Sequence, residues 1–223
     1  MRIAFVVWMA ILTCLASGVL VQAQEKKAKE IRLFNGKDLS GWTFFLADSS
    51  AKKEDVWSVD VKEGVLICKG NPVGYLRTEK DYTNFILKLE WRFSPVTKKA
   101  GNSGVLLRVV GPDKIWPKSI EAQLYSEHAG DFWLIGGTQL QTPPERIDPN
   151  NPNHRLRTRT NEKPIGEWNT YEITCNGDRI TLKVNGEVLN EGTGAEVVPG
   201  KIALQSEGTE IHFRNIRLIP LGK

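Results

Sequence analysis

The stretch Thr83-Asn84-Phe85-Ile86-Leu87-Lys88-Leu89-Glu90-Trp91-Arg92-Phe93 alternates along its whole length. Phe85, Leu87, Leu89, Trp91 and Phe93 fall on one side, and Lys88, Glu90 and Arg92 on the other. Successive side chains of a strand point to opposite faces. A period of two sustained this far therefore predicts a strand with one buried and one polar face.

The same rhythm continues on both sides. Trp168 to Cys175 sets Tyr171, Ile173 and Cys175 on one face. Asn176-Gly177-Asp178 and Asn185-Gly186 then supply residues that tolerate the positive φ of tight hairpin turns. Further strands are predicted near 64–68, 74–77, 103–110, 119–125, 138–141, 201–205 and 211–219. Only the polar run 48–55 (DSSAKKED) suggests a helical turn. Many short strands separated by turn signals predict an all-β fold, a β-sandwich or jelly roll of two antiparallel sheets.

The chain has 223 residues, 40% of them hydrophobic and 25% charged, which excludes a collagen-like or disordered class. A formal net charge of +4 from mixed residues gives no ground for nucleic-acid binding. Arg2, an uncharged run from Ile3 to Val21 and the small-x-small site Val21-Gln22-Ala23 predict a secretory signal peptide over 1–23. The alternative is a retained anchor. Cys14 follows Ile11-Leu12-Thr13, which does not suit lipidation. Residues 24–30 (QEKKAKE) read as a flexible lead-in, and 31–223 as one domain. The expected location is periplasmic or secreted, with no membrane span in the mature chain. Export permits a disulfide between Cys68 and Cys175, but two small buried residues on separate strands fit equally well.

From Thr142 to Pro164 the rhythm stops: TPPERIDPNNPNHRLRTRTNEKP. So long a stretch without periodicity predicts a functional or solvated loop. It could form a lid, with Arg155, Arg157 and Arg159 available to an anion.

Three strands offer polar faces. Lys88, Glu90 and Arg92 lie on the first. Arg108 lies on the second, opposite Val105, Leu107 and Val109. Glu121, Gln123 and Tyr125 lie on the third, opposite Ile120, Ala122 and Leu124. If the strands are neighbours, these groups share one surface. A charged face often simply meets water, but carboxylates, guanidinium and amide together also suit a polyol. Trp91 belongs to an apolar face, whereas Trp116 and Trp133 sit in loop-like contexts where an aromatic plate could meet a sugar ring or fill a core. Ser103 lacks a nucleophile elbow, and His128, His154 and His212 lack metal-motif spacing.

Beyond these readings, an ordered set of motifs stands out: Leu33-Phe34-Asn35-Gly36-Lys37-Asp38-Leu39-Ser40-Gly41-Trp42; Gly74-Tyr75-Leu76-Arg77-Thr78; Leu87 to Arg92; Gly101-Asn102-Ser103-Gly104-Val105-Leu106-Leu107-Arg108; Trp116 to Leu124; Ala129-Gly130-Asp131-Phe132-Trp133; Gly200 to Gly208; and Phe213-Arg214-Asn215-Ile216. Together they resemble the 3-keto-disaccharide hydrolase family across about 31–220. The resemblance implies a concanavalin A-like jelly roll with its site on a concave sheet. It also implies cleavage of 3-keto-glycosides or 3-keto-disaccharides supplied by a glycoside 3-oxidoreductase. A C3 ketone acidifies the C2 proton. Its removal lets the enolate expel the C1 substituent, and water then adds back.

On that reading Glu121 or Glu90 is the base and Arg108 stabilises the enolate. Asn102, Gln123 and Glu207 position hydroxyls, Tyr125, Trp116 and Trp133 contact the sugar, and His128 is a candidate acid. A divalent metal at the enolate is left open, without named ligands. Some relatives carry a histidine where this chain has Ser206-Glu207, so the choice of base stays open. The competing reading is a non-catalytic carbohydrate-binding, lectin-like sandwich, because one fold hosts both.

Overall fold

The computed structural model describes residues 29–222, so the predicted signal segment 1–23 lies outside the described residues. The first half holds β1 (Ile31–Arg32), β2 (Trp42–Leu46), the one-turn helix α1 (Lys53–Val56), β3 (Trp57–Asp60), β4 (Val65–Cys68), β5 (Gly74–Thr78), β6 (Phe85–Phe93), β7 (Gly104–Val110) and β8 (Lys118–Gln123). The second half holds β9 (Phe132–Ile135), a 3-10 turn (Pro144–Arg146), β10 (Ile147–Asp148), β11 (Asn151–Arg155), β12 (Asn169–Asn176), β13 (Arg179–Val184), β14 (Glu187–Gly192), β15 (Lys201–Ser206) and β16 (Ile211–Pro220).

These strands form the expected sandwich of two antiparallel sheets. The first runs β14-β13-β12-β6-β16-β4-β3, with β1 beside β16. The second runs β10-β11-β9-β8-β7-β15-β5-β2. The alternation read in the sequence sets the core. Phe85, Leu87, Leu89, Trp91 and Phe93 of β6 meet Val105 and Leu107 of β7 and Ile120 and Ala122 of β8 between the sheets. Burying an aromatic such as Trp91 contributes about 2–3 kcal/mol. The β12–β13 and β13–β14 hairpins turn at Gly177 (φ 58°) and at Asn185-Gly186 (φ 46° and 87°), as the turn residues predict.

Three expectations are corrected. First, β6 lies in the first sheet and β7 and β8 in the second, so the three polar faces are not one surface. Second, the pairing of β7 shifts between Leu107 and Val110, and Arg108 takes φ 51°. This bulge reverses the alternation beyond Leu107. Val109 joins Tyr75, Leu106 and Ala203 in a small apolar cluster on the outer face of the second sheet. Third, residues 138–141 form no strand. The strand here is β9, and Gln141 makes only an isolated bridge to Thr193.

Cys68 and Cys175 are both buried and free. They lie on β4 and β12, with β6 and β16 between them, and at opposite ends of β6: Cys175 pairs with Phe85, while Cys68 is level with Phe93, so the two cannot be bridged. Burial pushes each thiol up to about 12.

Candidate active site

The outer face of the second sheet is built from residues that alternate with the core. Glu121 pairs with Leu106 on β7 and with Trp133 on β9. Gly104 pairs with Gln123. On the other side, Ala203 pairs with Leu106 and Arg77, and Gln205 with Tyr75. A cavity of about 420 Å³ opens over this face. Asn102, Trp116, Glu121, Gln123, Trp133 and Glu207 are among its lining residues, with Asn151 and Asn153 on the β11 side.

Glu121 is the buried acid of this cavity, only 5% exposed. Burial pushes its pKa up, and the nearby Glu207 carboxylate pushes it further, to about 8. The Gln205 amide beside it pulls the other way. That amide lies outside hydrogen-bonding geometry, and neither of its polar atoms has a partner. Asn102 Oδ1 is also buried without a partner. Gln123 Oε1 accepts from the backbone N–H groups of Leu124 and Tyr125, both at 2.8 Å. That fixes the amide and frees its NH₂ for the cavity. Burial also raises Glu207, although the Asn102 side chain works against it.

The aromatic walls are held from behind. Trp133 lies flat on His154, with ring centroids 4.3 Å apart and planes 7° from parallel. His154 bonds Asp131 through Nε2 and Asp148 through Nδ1, each at 2.9 Å. Burial alone would lower the imidazole pKa, but the two carboxylates outweigh it and raise it.

The other candidates lie elsewhere. Glu90 accepts from Arg214 at 2.8 Å and from Asn215 at 2.7 Å on the outer face of the first sheet. There the solvated, salt-bridged reading of a charged face describes what is found. Arg108 is buried and donates to the carbonyls of Thr83, Gly177 and Glu196, tying loops of the sandwich together. His128 and Tyr125 line a separate cavity near Thr160 and Glu162.

The stretch 142–164 is not structureless, since it contains β10 and β11 and supplies one wall of the cavity. Its arginines are turned to intramolecular partners. Arg155 bonds Leu140 and Pro152 carbonyls, Arg157 pairs with Asp131 at 3.1 Å, and Arg159 with Glu187 at 2.6 Å. None of the three lines the cavity over Glu121.

Gln205 is the residue that sequence reasoning left out. It sits in the closing motif, and its place in the alternation of β15 sets it opposite the core-facing Leu204. Among the described residues no group of three or more His, Cys, Asp or Glu side chains is arranged to hold a metal ion. No helix among them is long and apolar enough to cross a membrane.

Residues 29–219 match the family model of the 3-keto-alpha-glucoside-1,2-lyase-like domain, and the chain belongs to that family. No curated protein matches it. A candidate glycosyl hydrolase from Parabacteroides distasonis ATCC 8503 is similar in structure, with a TM-score of 0.62 and 23% identity, covering 86% of this chain and 94% of that one. A β-glucanase from Bacillus licheniformis gives a TM-score of 0.58 at 12% identity, covering 89% and 100% of the two chains. The carbohydrate-binding module CBM66 from Bacillus subtilis gives 0.51 at 12% identity, covering 79% and 94%. At these identities the likeness is one of fold.

Proposed function

We propose that this domain cleaves 3-keto-glycosides or 3-keto-disaccharides by eliminating the C1 substituent and then adding water, with Glu121 as the base. The observation that carries this reading is a buried carboxyl facing a sugar-sized cavity with its pKa raised to about 8. A base works best when its pKa lies near the operating pH. A pure binding module has no use for a carboxyl held there, whereas removing a proton next to a ketone requires one.

In the proposed sequence Glu121 takes the C2 proton, and the C–H electron pair passes into an enolate whose charge sits on the C3 oxygen. In this scheme the Gln123 NH₂ donates to that oxygen. Collapse of the enolate breaks the C1–O bond and forms a C1–C2 double bond. The proton on Glu121 passes to the departing oxygen, which restores the carboxylate. Water then adds at C1, and Glu121 takes a proton from that water and delivers it to C2. The net change is hydrolysis. Trp116 and Trp133 flank the ring, and the orphaned Asn102 Oδ1 accepts from a hydroxyl. The keto substrate would come from an oxidoreductase acting on the parent glycoside. Exported action, in the periplasm or outside the cell, belongs to the same proposal.

The experiment is cleavage of a 3-keto-glucoside in D₂O. Elimination and hydration would leave deuterium at C2 of the released keto sugar. Product free of deuterium at C2 would mean direct displacement at C1 and would rule the scheme out.

A further inference from the structure

Gln205 is the least satisfied polar group beside Glu121. It is 1% exposed, and neither Nε2 nor Oε1 makes a hydrogen bond. A buried polar group left unpaired is destabilising, so its retention calls for a reason. Register supplies the placement. β15 runs antiparallel to β7, with Leu204 against Val105, which carries Gln205 to the level of Gly104. Gly104 leaves the space: a Cβ there would lie 2.2 Å from Glu121 Oε1 and 2.3 Å from Gln205 Oε1. The two side chains thus share the gap above one glycine.

The other groups around Glu121 offer no substitute. Leu106 and Trp133 are its strand partners and carry no charge. Glu207 repels it. Across the core, the Tyr171 hydroxyl stays neutral because burial raises it well above the usual phenol range.

We infer that Gln205 is a positioning residue that holds the Glu121 carboxyl in place in both of its protonation states. This rests on the proposed role of Glu121 as the base. During turnover Glu121 passes from carboxylate to acid and back. A fixed cation would favour the carboxylate alone and weaken it as a base, and an apolar neighbour would favour the acid alone. An amide serves both, and the carboxylate the more strongly, because a hydrogen bond to a charged acceptor is the stronger. Its NH₂ donates to the carboxylate, and its carbonyl oxygen accepts from the acid after a turn about the last side-chain bond.

The test is a direct titration of Glu121 by ¹³C NMR of protein labelled at the glutamate carboxyl carbons. The Glu121 signal is the one missing in Glu121→Gln. In Gln205→Met the midpoint should rise by about one pH unit. The rising limb of the pH–rate profile for 3-keto-glucoside cleavage should move with it. At pH 7 kcat should fall about tenfold or more, with KM changed by less than about threefold. A Glu121 midpoint that stays at the wild-type value while activity falls would overturn the inference and leave Gln205 a packing residue. Should Gln205→Met not fold, Gln205→Glu carries the same test. An acid sharing a proton with Glu121 should raise the midpoint, and an unmoved midpoint would overturn the inference. A moved midpoint with undiminished cleavage in Glu121→Gln would support the Gln205–Glu121 coupling and overturn the base assignment instead.

Discussion

Gly104 and Glu121 are matched across two strands. The glycine on β7 leaves open the volume that the carboxyl from β8 occupies, and a Cβ there would lie 2.2 Å from Glu121 Oε1. Gly104→Ala should therefore push the carboxyl from its place. The expected outcome is a loss of about 1–3 kcal/mol in stability and a fall of at least about tenfold in kcat/KM. Denaturant titration and a steady-state assay check both. Full activity in the variant would mean that the carboxyl does not need this position.

The raised pKa of Glu121 makes a stability prediction independent of any substrate. In the unfolded chain this carboxyl titrates near its ordinary value of 4.5, and in the folded protein burial pushes it up to about 8. Below 4.5 both states hold the proton. Between 4.5 and 8 only the folded state does, so stability falls with rising pH across that window and levels off above it. The loss amounts to about 5 kcal/mol. Glu121→Gln should remove this slope and be the more stable protein at pH 9, as measured by denaturant unfolding across pH.

His154 backs Trp133 without lining the cavity. His154→Ala should leave the tryptophan unsupported and cut the Asp131–His154–Asp148 bridge. Sugar binding should weaken by about three- to tenfold, with the pH–rate limb assigned to Glu121 unmoved. Calorimetric binding together with the pH profile separates the two. A shifted limb would mean that the imidazole couples to the base after all.

Arg108 provides the contrast between a structural and a catalytic arginine. Arg108→Met would leave the carbonyls of Thr83, Gly177 and Glu196 without their donor. Stability should drop by about 3 kcal/mol. The folded fraction should keep kcat within about twofold, because the guanidinium does not reach the cavity over Glu121. Loss of turnover at full stability would restore the enolate-stabilising role that the sequence suggested.

These residues mark how far the sequence could be read. Alternation is local, so it placed Glu121 and Gln123 opposite Ile120, Ala122 and Leu124. It also placed the core side of β6 and the Asn185-Gly186 turn. It could not place Glu90, because which sheet a strand joins depends on pairing with distant segments such as β12 and β16. It misplaced Arg108 because a one-residue bulge reverses every later face and leaves no mark in the hydrophobic pattern. The strands β10 and β11, at one end of the second sheet, escaped because IDPNNPNHR has Ile147 as its one large apolar residue. There those side chains meet water and the cavity, so no apolar rhythm is needed. Gln205 was visible only as part of a motif, since a buried glutamine gains meaning once Glu121 is seen beside it.

The central claim is that the ketone, through the acidity it gives C2, makes the glycoside a substrate and that Glu121 takes the proton. The direct measurement is release of free sugar from a 3-keto-glucoside and from the parent glucoside by the purified protein and by Glu121→Gln. The account predicts cleavage of the keto compound alone, and a loss of about a hundredfold or more in the variant. Equal cleavage of the parent glucoside would contradict it. So would binding of the sugars with no cleavage of either, which would make this a binding module.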